Sequence, residues 1–116
     1  MNARDDQLLE IFQRADMPSD AIAALSRSGR FDEKSFDDSY LGFLDKQIAA
    51  KARGPEWDDL YTARRRNLAD FAGVSLIDVS ATSGTIHYWV KIDPKTETVV
   101  HWERIAEDGF SYLGNW

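Results

Sequence analysis

Cysteine is missing from the chain, and that absence excludes disulfides, thiolate metal sites and a cysteine nucleophile, whatever the compartment. Histidine is nearly missing too, with His87 and His101 the two present. No run approaches the ~18 consecutive apolar residues of a membrane span, and the start, Met1 to Asp6, lacks the apolar core of a secretory signal. The expected address is therefore cytoplasmic, with no membrane partner. Glycine-rich phosphate loops, the HExxH zinc pattern, the DxDxDG calcium loop and the GxSxG elbow are also absent. No cofactor and no metal are expected. Cations are the scarcer sign, since 14 Lys and Arg against 20 Asp and Glu leave a net charge of −6. Affinity for nucleic acid comes mostly from cations that neutralise phosphates, so no nucleic-acid partner is expected. The one basic run, Arg64-Arg65-Arg66, falls in a helical stretch, where three successive side chains fan over about 200° of the surface.

What is present fits one domain over residues 1–116, because 116 residues at 43% hydrophobic suffice for a real core but not for two. Residues 1–72 read as helical, and residues 73–116 as an antiparallel sheet with an aromatic tail. The sheet organises the rest. Val74–Ala81, Ile86–Ile92 and Thr98–Ile105 are dense in Val, Ile, Tyr and Trp and are separated by turn residues. A two-residue Ser83-Gly84 loop sets Ala81 opposite Ile86, Val79 opposite Tyr88 and Ile77 opposite Val90, so apolar residues meet apolar residues. A five-residue loop over 93–97 continues this with Val90 opposite Val100 and Tyr88 opposite Trp102. Side chains alternate with period two, so Asp78, Ser80, His87, Trp89, Lys91, Val99, His101 and Glu103 share the reverse face, which reads as the wetter one.

Ahead of the sheet, Leu8, Leu9, Ile11, Phe12 and Ala15 recur at helical spacing and predict a helix from about Arg4 to Ala15. Pro18 opens a second, short helix that ends at Gly29, the expected left-handed terminal residue. Arg30 to Lys34 reads as a polar link. Ser35 is the expected N-cap of a third helix running to Gly54, and Pro55 opens a fourth that closes at Gly73. After the strands, Glu107-Asp108-Gly109 marks a turn. Phe110, Tyr112, Leu113 and Trp116 then form a tail that adds an edge strand or folds over the sheet. The fold class expected is α+β, with four N-terminal helices packed on one face of a three- to four-stranded antiparallel C-terminal sheet.

The reverse face of that sheet is the place where the histidines and carboxylates converge. His87, His101 and Asp78 could form a catalytic pocket, an imidazole beside a carboxylate being a general base in waiting. Solvated strand residues explain the same pattern without function. Trp89 among Asp78, His87, His101 and Glu103 reads as a contact surface, since an outward tryptophan among polar groups marks binding hot spots, unless the C-terminal tail, with Tyr112 and Trp116, covers it, which is the commoner arrangement. The helical surface around Asp37, Asp38 and Tyr40 is the next candidate. Small size, acidic charge and the lack of any catalytic motif point to a protein-binding domain rather than an enzyme: an inhibitor, immunity or antitoxin-like factor for a basic protein partner. A small-molecule or enzymatic pocket is the alternative, and a homodimer through the sheet edge or face is compatible with either.

Overall fold

A computed structural model describes residues 3–107 and 111–115. Asp108, Gly109, Phe110 and Trp116, part of the expected turn and tail, lie outside the described residues. The elements run α1 (Ala3–Arg14), α2 (Ser19–Ser28), β1 (Arg30–Lys34), α3 (Asp38–Ala50), α4 (Pro55–Leu68), β2 (Leu76–Ser83), β3 (Ile86–Asp93), β4 (Thr98–Ala106) and β5 (Ser111–Gly114). The five strands pair antiparallel in chain order. The class is α+β as expected, with the helices ahead of β2 to β5. Two strands are additional to the three runs read as β: β1 arises from the presumed polar link, and β5 is the tail taken up as an edge.

The helices divide between the two faces of the sheet rather than sharing one. Leu8, Ile11 and Phe12 of α1 and Ala21 and Leu25 of α2 recur at the spacing that puts them on one side of each helix. They pack on Val79, Ala81, Tyr88, Val90, Ile92 and Trp102. On the other side Leu41 and Leu44 of α3 and Tyr61 and Leu68 of α4 form a second core with Trp89 and Val100. The split follows from β1. After α2 the chain runs along the sheet edge and leaves it on the opposite side, where Gly54 and Pro55 let α3 and α4 fold back on each other.

Two local features make this path possible. Gly29 is extended (φ −67°, ψ 134°) rather than left-handed, so glycine is required there for space and not for its dihedral. A Cβ would come within 2.2 Å of the Leu25 carbonyl oxygen and 2.6 Å of Val79, and its absence lets α2 run straight into β1. Asp37, not Ser35, caps α3, accepting from the Ser39 amide at 3.0 Å. That carboxylate titrates below the usual range because it accepts hydrogen bonds from the Ser39 side chain and backbone.

The first hairpin turns at Gly84-Thr85, with Gly84 at φ +61°, instead of Ser83-Gly84. The pairing becomes Ala81 with Tyr88, Val79 with Val90 and Asp78 with Lys91. A slip of two residues leaves every side chain on its expected face while changing each partner. In the second hairpin Asp93 pairs with Thr98 and Ile92 with Val99, and an irregularity then brings Lys91 opposite His101. Val100 is the extra residue of a bulge, which reverses the parity of the strand. Val99 therefore joins the α1–α2 core and Val100 the other layer, while His101 and Glu103 stay with Asp78, Trp89 and Lys91.

Candidate functional site

The face carrying these polar residues is not wet. α3 and α4 cover it, leaving Asp78 9%, Lys91 4%, His101 0% and Glu103 3% exposed. Charges taken out of water are stable only when paired and hydrogen-bonded, and each of these is. Lys91 donates to Asp78 Oδ2 at 3.0 Å from the neighbouring strand, and Trp89 Nε1 donates to Asp78 Oδ1 at 2.8 Å. Arg64, on the inward side of α4, grips Glu103 with two nitrogens, Nε at 2.9 Å and Nη2 at 2.5 Å. The Trp89 ring joins the two ion pairs: Arg64 and Lys91 each stand 5.3 Å from its centroid.

His101 is locked by its neighbours. Asn67 Nδ2 lies 3.0 Å from Nδ1, and Nε2 lies 2.8 Å from Glu103 Oε2. An amide nitrogen can only donate, so Nδ1 accepts and Nε2 carries the proton that Glu103 receives. Asn67 also donates to the Asn115 carbonyl. Asn115 in turn accepts from the Trp102 amide at 2.7 Å and donates to the Val100 carbonyl at 3.1 Å, which fastens β5 around the bulge.

This geometry separates the residues expected to act together. His87 pairs with Ile105, four positions along β4 from His101, so the two residues are offset by about 13 Å along the strand direction. His87 is partly exposed and faces Glu107 at 3.5 Å. With both His101 nitrogens engaged and His87 at the far end of the strand, His87, His101 and Asp78 do not converge on a common substrate atom. Among the described residues no group of three or more His, Asp or Glu side chains is placed to hold a metal ion. As a contact surface, Asp78, His101 and Glu103 are covered by helices, and Trp89 is half-buried under Arg64 rather than presented outward. Among the described residues, the parts of the sheet open to a second copy are its edges and the end of this face around Ser80, Thr82 and His87. Two residues of the basic run are likewise engaged, Arg64 on Glu103 and Arg65 on Asp45 at 3.0 Å.

Burial raises the Glu103 carboxyl, but the hydrogen bonds from Arg64 and His101 and the charge of Arg64 outweigh it and hold the group below the usual carboxylate range. A carboxyl lowered by folding stabilises the native state fully above its unfolded value, about 4.3. That contribution is lost as pH falls through the folded value. The urea midpoint of the wild-type chain should therefore fall on acidification below about pH 5, and that of Glu103→Gln should fall less steeply. Parallel slopes for the two chains would show that Glu103 is not responsible.

The accessible part of this layer is its edge, where α3 meets β1 and β2. A cavity of about 240 Å³ opens there, lined by Lys34, Phe36, Tyr40, Asp78, Trp89 and Lys91. Phe36 meets Tyr40 edge-on at 5.9 Å, and Tyr40 stacks on Phe43 at 6.2 Å. Phe43 is 47% exposed. Asp32, Asp37 and Asp38 lie around this aromatic row, on β1 and at the start of α3, and all three are exposed. Of these residues, strand alternation put Asp78, Trp89 and Lys91 on one face, and Asp37, Asp38 and Tyr40 stood out on the helical surface. Phe36, Lys34 and the role of Lys91 depend on β1 being a strand, and nothing in Arg30 to Lys34 but Phe31 favours one. A second cavity, of about 150 Å³ between α1 and the β2–β3 sheet, is lined by Leu8, Ile11, Ile77, Ile92 and Pro94 with Gln7 and the exposed Glu97 at its rim, and so offers no buried charge.

Compared with known protein families, curated proteins and solved structures, the chain matches none. No helix among the described residues is long and apolar enough to cross a membrane.

Proposed function

We propose that this chain is a protein-binding domain, an inhibitor, immunity or antitoxin-type factor, that captures a basic partner at the N-terminal end of α3 and the adjoining β1 edge. The observation that carries this reading is the row Phe36, Tyr40 and Phe43 bordered by Asp32, Asp37 and Asp38. An aromatic centre with a charged rim is the usual anatomy of a binding hot spot. The charge balance supports it as well. Asp78 and Glu103 cancel Lys91 and Arg64 inside the molecule, so the whole net charge of −6 belongs to the surface, where it steers a cationic partner.

Extract of the source cell passed over the immobilised chain at low and high salt tests this reading, with Asp32→Asn/Asp38→Asn and Phe43→Ala for comparison. The wild type should retain a basic protein that high salt releases. With that protein purified, the double charge variant should slow association, whereas Phe43→Ala should speed dissociation, costing about 2 kcal/mol if the ring is an anchor. Retention of no basic protein, or unchanged rate constants in both variants, would refute the reading. A second reading, a small-molecule-binding domain, has the cavity beside Trp89 in its favour, though it does not use the histidines.

A further inference from the structure

The cavity between α3 and the sheet has a definite chemistry. Its inner wall is Lys91, whose side chain is 5% exposed. An ammonium has three N–H donors, and the bond to Asp78 Oδ2 at 3.0 Å uses one. The faces of Trp89 and Phe36 stand 5.3 Å and 5.6 Å from the nitrogen. Asp78 has less to offer a guest, because its two oxygens already accept from Trp89 and Lys91. At the mouth stands Lys34, whose link to Asp32, 3.5 Å long and exposed on both sides, is of the kind that water and salt largely screen. Two lysines and one committed carboxylate therefore give the lining a local positive charge in an acidic protein.

We propose that this cavity is a binding site for a small aromatic carboxylate. The ring lies among Phe36, Tyr40 and Trp89, and the carboxylate accepts from Lys91 with Lys34 at the entrance. Size selects the ligand: about 240 Å³ is below the ~300–1,000 Å³ of pockets for drug-sized molecules, so one ring fits and a nucleotide does not. Sign selects it too, since a cation would meet both lysines, and an uncharged ring would leave the Lys91 donors without an acceptor. Asp32, 3.5 Å from Lys34, is the acid that opposes an anion at the mouth, through an exposed contact that water and salt weaken, while exposed charges beyond about 8 Å are screened at physiological ionic strength. This assignment deepens the small-molecule reading and does not depend on the docking surface for a basic protein.

The test is a titration of the full ¹⁵N-labelled chain with benzoate at constant ionic strength, following the Trp89 indole N–H, whose resonance is identified by its loss in Trp89→Phe. Benzyl alcohol, benzylamine and acetate serve as the neutral, cationic and ringless comparisons. Benzoate should give a saturable shift, and the other three should bind at least about tenfold more weakly. Lys34→Gln should weaken benzoate several-fold. Lys91→Met with Asp78→Asn removes the buried pair together, leaving no uncompensated charge, and should abolish the preference for benzoate over benzyl alcohol. A shift that rises linearly without saturating, equal binding of benzoate and benzyl alcohol, or a preference that survives the double substitution would overturn the assignment. Should the double variant fail to fold, the ligand series and Lys34→Gln decide.

Discussion

Replacing Arg64 by alanine is expected to cost about 3–5 kcal/mol, the usual result of removing one partner from a buried ion pair. Glu103 is the more deeply buried partner, with its side chain 3% exposed against 18% for Arg64. It would keep only His101 as a close donor, and the carboxylate would have to take up a proton or draw water beneath α4. Against a typical total of 5–15 kcal/mol, such a loss puts the chain close to unfolding at ordinary temperature. Arg64→Met combined with Glu103→Gln should recover most of it, because the charge and its counter-charge leave together while the amide oxygen still accepts from His101 Nε2. Urea melts of Arg64→Met, of Glu103→Gln and of the two combined measure the coupling directly. A single variant within about 0.5 kcal/mol of wild type would mean that water already solvates Glu103 and that the covered layer is open.

Val90→Asp is expected to leave no folded protein. Val90 is fully buried in the middle of β3, between Val79 on β2 and Trp102 on β4, in the core formed with α1 and α2. Losing its burial costs about 1.5–3 kcal/mol, and an aspartate there adds the larger cost of a carboxylate with no cation in reach. The contrast with the next residue is instructive. Lys91, one position along, tolerates a full charge at 4% exposure because Asp78 faces it. Near-ultraviolet circular dichroism of Val90→Asp should be flat and its thermal transition absent. A cooperative transition at the wild-type temperature would mean that α1 and α2 do not seal this face.

The sequence was most informative about faces and least informative about layers. Alternation along Ile86–Ile92 sorts Tyr88 and Val90 from Trp89 and Lys91 correctly. Moving the turn from Ser83-Gly84 to Gly84-Thr85 shifts the register by two, which preserves that sorting and so cannot be detected by matching apolar partners. The polar face looked wet because its residues are polar. Its burial depends on Lys91 meeting Asp78 across one strand boundary and on Arg64 arriving from α4, and the second of these is a tertiary fact that no local spacing contains. Arg64 does share a helical stripe with Leu60, Leu68 and Phe71, a spacing consistent with its facing inward. Asn67 and Asn115 gave no such signal, since an amide that satisfies a buried imidazole looks like any other surface amide until the fold is known. β1 was missed because Arg30, Asp32, Glu33 and Lys34 are poor strand formers, and an edge position tolerates and even favours such charges.

The placement of β1 also bears on how the molecule assembles. β2, β3 and β4 join neighbour to neighbour through short turns, and β5 begins five residues after β4 ends, so their pairing needs little loop closure. β1 must find β2 across the entire α3–α4 excursion, from Lys34 to Leu76, and closing a longer loop costs more chain entropy. The four-stranded meander is thus expected to form early and β1 to dock late, with α3 and α4 held only loosely until that edge closes. Substitutions in the β1–β2 seam, such as Phe31→Ala, should then speed unfolding and leave the folding rate nearly unchanged, whereas Val90→Ala inside the meander should slow folding. The charged layer between sheet and helices would accordingly be the last part of the interior to dry, so its ion pairs would act on the lifetime of the native state rather than on the search for it.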